Sequence, residues 1–252
     1  MTFLKAFVLG SAVLCAPSMA AGAAAHGTSP STALESCKAL QSSGGGMLSG
    51  VYWVQPAGAQ PRTVYCDMET NGGGWALVYN SILGINTTDF WNIAYLDRFG
   101  RRGRPSLDAL FYDGSLYLNG TSYMDVIEDL QGKTVVAMTA WAEKIDPYSM
   151  RFVSPQLVSG NAAIYQAQFA GGWSTREFDG DTWSGNCASY YANVTQHYSA
   201  CWYYNLGADA DPLMEDGRVG PHLHSVTAQS LGLSTDGSEY TRVRRISRFV
   251  KW

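Results

Sequence analysis

The sequence predicts an α+β domain in which short strands and long polar loops dominate and helices are brief. Three observations carry that reading. Charged residues make up only 15% of the 252 residues, while aromatics reach 13% and glycine numbers 27; an ordinary soluble domain carries about 25% charged residues. The apolar runs are short, β-prone and divided by Gly, Pro and Asn clusters, with no long helical periodicity and no internal repeat. Hydrophobic residues still total 46%, enough for a packed core. The formal net charge is −4, opposite in sign to what a phosphate-backbone binder needs, so nucleic acid is not an expected partner.

In chain order, Met1 to Lys5 is a short start with one positive charge, and Ala6 to Ala16 is an apolar run of signal-peptide length. Ser18-Met19-Ala20 then offers small residues at the two positions a signal peptidase reads. A membrane span is disfavoured because Pro17 and Gly22 interrupt the run, and lipoprotein processing at Cys15 is disfavoured by the bulky Leu14. Residues 1–20 are therefore expected to be a signal peptide, cleaved between 20 and 25. Residues 21–33 read as a flexible leader and 34–252 as the exported domain.

Export changes how the cysteines read. Cys15 leaves with the signal, and Cys37, Cys66, Cys187 and Cys201 remain. An even number in an oxidising compartment argues for two disulfides, with three connectivities open. Pairing of sequence neighbours closes loops of 29 and 14 residues in separation, and chain entropy gives each roughly 3 to 4 kcal/mol. The absence of CxxC spacing disfavours a zinc ribbon or redox pair, and no odd cysteine is left for catalysis.

Leu48 to Trp53 and Arg62 to Met68 read as strands around a Gln55-Pro56-Ala57-Gly58 turn, and Asn71 to Gly74 is a second turn before a strand from Trp75 to Tyr79. Asp125 to Leu130 reads as a turn or two of helix, and Lys133 to Trp141 and Asn161 to Phe169 as buried strands. From Phe178 to Gly220 aliphatic periodicity dissolves, which in a compact domain marks a functional or otherwise pinned loop region. Tyr240 to Trp252 alternates as a closing strand. Its Arg242, Arg244, Arg245, Arg248 and Lys251 read as protective charges on a sheet edge.

The segments SGVYWVQP, VYCDMETNGGGW and WSTREFDGDTWSGNCA, in this order with their cysteines, resemble the fibrinogen C-terminal-like domain, whose family includes ficolin-, tachylectin- and intelectin-like secreted lectins. The resemblance implies a mixed or antiparallel central sheet with short helices, a loop-rich calcium and ligand subdomain, and disulfides Cys37–Cys66 and Cys187–Cys201. In the GGGW turn, glycine permits positive φ and close backbone approach while Trp75 anchors the core. A phosphate loop is disfavoured because no Lys-Ser/Thr follows.

Asp179-Gly180-Asp181 sets two carboxylates two residues apart, with a glycine that lets the backbone fold round an ion. Calcium takes several oxygens from carboxylates and carbonyls. Asp179 and Asp181 would supply the charge, and the carbonyls of Trp183 and Gly185 the neutral ligands; the resemblance implies the same four positions. It also implies a ligand pocket beside the ion, where relatives carry paired tryptophans and a cis peptide before the second cysteine. Here Gln196 to Ala200 replaces the pair. His197, Tyr198, Trp202 and Tyr203 are the expected ligand contacts, since sugar and acetyl faces stack on such rings.

Asp209, Asp211, Glu215 and Asp216 with His222 and His224 form a candidate second metal site, because alternate residues share a strand face. Sequons occur at Asn86, Asn119 and Asn193. The expected function is a secreted, calcium-containing module that recognises glycans or acetylated ligands on cell surfaces, without a membrane span and with a possible homo-oligomer supplying avidity. An adhesive or structural domain without glycan binding is the alternative. A metal-dependent hydrolase built on the His222/His224 and Asp209/Asp211 group is a third, but no HExxH or GxSxG motif supports an enzyme.

Overall fold

A computed structural model of the chain describes residues 25–44, 48–207 and 219–252. Its first half runs through α1 (Cys37–Ser43), β1 (Gly50–Val54), β2 (Arg62–Asp67), β3 (Trp75–Ile82), α2 (Thr88–Trp91), β4 (Arg101–Gly103), β5 (Phe111–Asp113), β6 (Ser122–Glu128) and β7 (Thr134–Trp141). Next come β8 (Lys144–Ile145), β9 (Phe152–Val153), β10 (Gln156–Gly160), α3 (Ala162–Gln168) and β11 (Gly172–Ser174). The chain then passes through α4 (Cys187–Tyr190), β12 (Gln196–Tyr198), β13 (Tyr204–Asn205), β14 (His222–His224) and α5 (Ser225–Ser230) to β15 (Tyr240–Arg242) and β16 (Arg245–Lys251).

The central sheet is antiparallel in every described pairing and runs β1-β2-β3-β16-β6-β7-β10, with β5 bonded to β3 and β4 to β5. β3 is buried on both faces. A small cluster of Trp75, Leu77, Phe111, Met124, Val126 and Phe249 packs on one side. On the other lies the main core, where the rings of Trp91, Tyr117, Tyr123, Phe169 and Trp173 sit at 1% exposure or less. The glycine turn behaves as its sequence requires. Gly73 and Gly74 have φ of 65° and 75°, and a Cβ on Gly73 would stand 2.1 Å from the Met68 carbonyl oxygen. Both disulfides, Cys37–Cys66 and Cys187–Cys201, are present.

Four expectations are corrected. Asp125 to Leu130 is not helical, because β6 pairs along its length with both β16 and β7 and sends Tyr123, Asp125 and Ile127 inward. Asn161 to Phe169 is helix α3 rather than a strand: the Asn161 side chain accepts the Ile164 N–H at 2.9 Å as an N-cap, and Ile164, Tyr165, Ala167 and Gln168 form its buried stripe. Residues 25–33 are not a loose leader. A 3₁₀ turn at Pro30–Thr32 is followed by Ala33, and Gly27, itself buried, accepts the Trp53 N–H at 2.7 Å and so fixes the segment to β1. The proposed signal peptide lies outside the described residues.

The fourth correction matters most. The tail strand β16 lies between β3 and β6 in the middle of the sheet, not at its edge. Alternation therefore drives Arg248 into the core, where it is 1% exposed. It forms a two-pronged ion pair with Asp125, both bonds 2.7 Å, and donates further bonds to the Gln168 carbonyl at 2.9 Å and the Tyr204 hydroxyl at 3.0 Å. Burial opposes the guanidinium charge, but Asp125 outweighs it and holds the Arg248 pKa above its ordinary value.

Candidate functional site

The site is built on the loop that leaves β11. Ser174, the last residue of that strand, accepts the N–H groups of Gly180 and Asp181 at 3.0 and 3.1 Å and donates to Asp181 Oδ2 at 2.8 Å. The Asp181 carboxylate also accepts the backbone N–H groups of Trp183 and Cys187, each at 3.0 Å. Arg151 donates to the Gly180 carbonyl, and Asn186 donates to the Thr175 carbonyl at 2.8 Å. Polar bonds thus fold this segment where apolar side chains are few.

The structure brings Asp179 and Asp181 together. Although Asp179 is exposed, partial desolvation, and then the neighbouring Asp181 charge, push its carboxyl above the usual carboxylate range. Two adjoining carboxylates that repel each other, on a loop otherwise rich in carbonyl oxygens, have the donor chemistry of a hard divalent cation. These residues fit calcium on that ground. Among the described residues, no group of three or more His, Cys, Asp or Glu side chains gathers for a metal, at this loop or elsewhere, so an ion here would draw its remaining ligands from carbonyl oxygens and water. Asp209, Asp211, Glu215 and Asp216 of the second-metal reading lie outside the described residues.

Beyond the disulfide, Tyr191, Cys201, Trp202, Tyr203, His224 and Tyr240 line an open pocket of about 250 Å³. Trp202 and Tyr203, expected as ligand contacts, are both here. Trp202 Nε1 and His224 Nδ1 are buried without a hydrogen-bond partner among the described residues. Glu239 stands 3.8 Å from His224 Nε2. Cys201 holds a φ of 71°, a left-handed conformation secured by the Ser199 N–H bond to its carbonyl at 3.0 Å. The described cis peptide is Gly220–Pro221, not the bond entering Cys201.

His197 and Tyr198 are not pocket residues. Strand β12 pairs with β11, and this register turns the His197 ring into the main core, stacked 4.9 Å from Phe152 and edge-on to Trp173 at 5.0 Å. Burial pushes its pKa down to about 3, so the ring is neutral and Nε2–H donates to the Met150 carbonyl at 2.8 Å. Tyr198 is fully buried and donates to the Val194 carbonyl at 2.6 Å. Period-two alternation alone could not say which face of so short a strand is inside.

Residues missed by sequence reasoning hold the pocket in place. Gln168 Oε1 accepts the Tyr203 N–H at 2.8 Å, and its Nε2 donates to the His197 carbonyl at 3.0 Å. Gln196 donates to the Tyr204 carbonyl at 2.9 Å and accepts the Leu206 N–H at 3.1 Å. No local pattern marks such glutamines. Tyr240 enters the pocket from β15, far along the chain. The Asn86 sequon is also reassigned: its amide donates to Ser81, Leu206 and Gly220 oxygens and accepts from Trp91 Nε1 at 2.7 Å, which leaves nothing for a glycan.

Comparisons with known proteins agree with this geometry. A family model described as the C-terminal globular domain of fibrinogen beta and gamma chains matches residues 34–212. The fibrinogen alpha-2 chain of Petromyzon marinus is 29% identical over 249 residues, covering 90% of this chain and 38% of its own length. Fibrinogen-like protein A of Apostichopus parvimensis is 31% identical over 183 residues, covering 69% and 61% respectively. This chain thus spans less than two thirds of either relative. Among solved structures, the fibrinogen-like globe domain of human ANGPTL6 superposes with a TM-score of 0.61 at 20% identity, over 86% of this chain and 95% of that one. A lamprey fibrin D-dimer complexed with the peptide Gly-His-Arg-Pro-amide gives 0.60 at 18% identity, over 86% and 73%.

Proposed function

The chain belongs to the family of fibrinogen C-terminal globular domains, and from that premise we propose that it is an extracellular recognition module for glycans or acetylated groups, with a calcium ion ordering the loop beside its pocket. The observation that carries this reading is the pocket itself. The rings of Tyr191, Trp202, Tyr203, His224 and Tyr240 supply stacking surfaces around an open pocket, the kind of wall a small ligand packs on. Among the described residues no helix is long and apolar enough to cross a membrane.

Asp179, Asp181 and the carbonyls of Trp183 and Gly185 would hold the ion, which supplies positive charge to offset the paired carboxylates. The domain acts by binding, not by catalysis, and homo-oligomers would raise weak single-site affinity through avidity. The test is a glycan array probed with and without EDTA. Binding that chelation weakens supports both parts, and an array with no bound sugar removes the glycan reading.

A second reading is favoured by the carboxylate of Glu239 near His224, which gives the pocket rim a group able to receive a cationic peptide end. The lamprey relative's peptide complex makes Gly-His-Arg-Pro-amide the natural probe. Calorimetric binding of that peptide, lost in Glu239→Gln, would favour the peptide reading over the glycan one.

A further inference from the structure

The ring contacts continue past the pocket. Tyr191, on the pocket wall, stands edge-on to Tyr190 with centroids 5.0 Å apart, and Tyr190 stands edge-on to Trp183 at 5.3 Å. In the other direction Tyr191 meets Trp202 at 5.5 Å, and the series passes through Tyr240 and His224 in steps of 5.0 and 5.1 Å. It ends at Tyr203, 6.0 Å from His224. One unbroken run of aromatic rings therefore joins the Asp179/Asp181 loop to the far wall of the pocket.

The two rings at the loop end are exposed, Trp183 by 39% and Tyr190 by 42%. Large aromatics left in water side by side mark recognition surfaces. Neither is loosely held. The Trp183 N–H is fixed on Asp181 Oδ1 at 3.0 Å, and the indole lies against Gly185, where a Cβ would come 3.0 Å from its six-membered ring. The ring is seated on bare backbone in a place only glycine leaves open. Tyr190 closes α4, whose first turn is capped by Asn186 accepting the Ser189 N–H at 2.9 Å and anchored by the Cys187–Cys201 disulfide. Rings held in advance lose little freedom on binding.

We propose that Trp183 and Tyr190 form a second carbohydrate subsite continuous with the pocket, so that the ligand is an extended glycan chain rather than a lone terminal sugar or acetyl group. This rests on the glycan reading of the pocket. The chemistry follows from what the loop end presents: ring faces and edges, which suit the C–H faces of successive pyranoses and offer no strand edge to a peptide backbone. The pocket fixes one sugar through its polar groups, and the outer rings add contact area for the next ones.

The experiment is a glycan array of mono- to hexasaccharides of neutral and N-acetylated hexoses, followed by calorimetric titration of the best series into the whole chain. In the unmodified protein, affinity should climb with chain length. Trp183→Ala and Tyr190→Ala should each lower the ratio of tetrasaccharide to monosaccharide affinity by about tenfold, the scale of one lost aromatic contact. Trp183→Phe should restore most of that ratio, which a merely misfolded loop would not. Tyr203→Ala, in the pocket, should weaken both sugars and leave the ratio alone. A length-dependent gain that survives both alanine variants overturns the subsite while leaving the pocket reading intact. Failure of every sugar to bind the unmodified protein overturns the two together.

Discussion

Strand β3 runs for eight residues through the sheet with seven of them buried, whereas the stretch from Thr175 to Gly185 contains no strand or helix at all. The first is ordered by apolar area and a regular ladder of backbone bonds. The second is ordered by one serine hydroxyl, one carboxylate, an arginine on a carbonyl and a nearby disulfide. The difference is one of energy source: the sheet half is held by many weak, interchangeable contacts, the loop half by a few polar ones, each hard to replace. The candidate site lies on the second kind, and Arg248 ties β16 and β6 to α3 and β13, the elements that precede and follow that loop in the chain.

The largest effect should come from breaking that joint. Arg248→Met leaves Asp125 in the core without its counter-ion and with only the Tyr204 hydroxyl donating to it, and removing one partner of such a pair costs about 3 to 5 kcal/mol. Urea denaturation should show this loss, while Arg248→Met combined with Asp125→Leu should lose less than the sum of the single changes. A cost under about 1 kcal/mol would mean that the buried pair does not hold β16 and β6 to α3 and β13.

The disulfides sharpen the contrast, since each half owns one. Sequence separations of 29 for Cys37–Cys66 and 14 for Cys187–Cys201 correspond to about 3 to 4 kcal/mol and about 3 kcal/mol of chain entropy. Similar global losses should leave different local traces. Replacing Cys187 and Cys201 with serine should speed amide exchange between Thr175 and Ala200 and leave β3 and β6 protected. Replacing Cys37 and Cys66 should do neither. Equal exchange across the whole domain in both variants would erase the distinction.

The same division decides what could be read from sequence. β1, β2, β3 and β7 were legible because their apolar runs and turn residues state one answer, and both disulfides follow the resemblance. β6 and α3 were not, since a short apolar run fits either structure until Asn161 caps the helix and two neighbours claim the strand. β16 was misplaced because its arginines look like edge charges, and Asp125, the partner that draws one of them inside, lies 123 residues away. Of the four expected ligand contacts, Trp202 and Tyr203 reach the pocket and His197 and Tyr198 face the core. Composition names the aromatic cluster, but pairing of β12 with β11 decides who is wet.

Calcium tests the loop half alone. An ion that binds only the folded chain stabilises it by about 2.7 kcal/mol at a hundredfold excess over its Kd, so EDTA should lower the melting temperature. Asp179→Asn should abolish that response while the bonds from Ser174, Trp183 and Cys187 to Asp181 remain. Asp181→Ala should lose those bonds as well and destabilise the loop even in EDTA. Melting curves indifferent to calcium in the unmodified chain would leave the loop held by its hydrogen bonds only.

The smallest effect concerns His197, which belongs to the loop half by sequence and to the sheet's core by position. Its folded pKa of about 3, set chiefly by burial and then by the Arg248 charge, lies below its ordinary value. Between the two, the unfolded chain takes up a proton that the folded chain refuses. The stability this neutral ring allows is therefore complete above about pH 6.5 and falls as pH drops through that value, by about 1.4 kcal/mol per unit. At pH 5 the loss should be about 2 kcal/mol, and it should level off near pH 3. His197→Gln, whose amide can still donate to the Met150 carbonyl, should lack this share of the acid sensitivity in urea denaturation at pH 7 and pH 5. Identical pH slopes in the two proteins would show that the ring takes its proton without leaving the core.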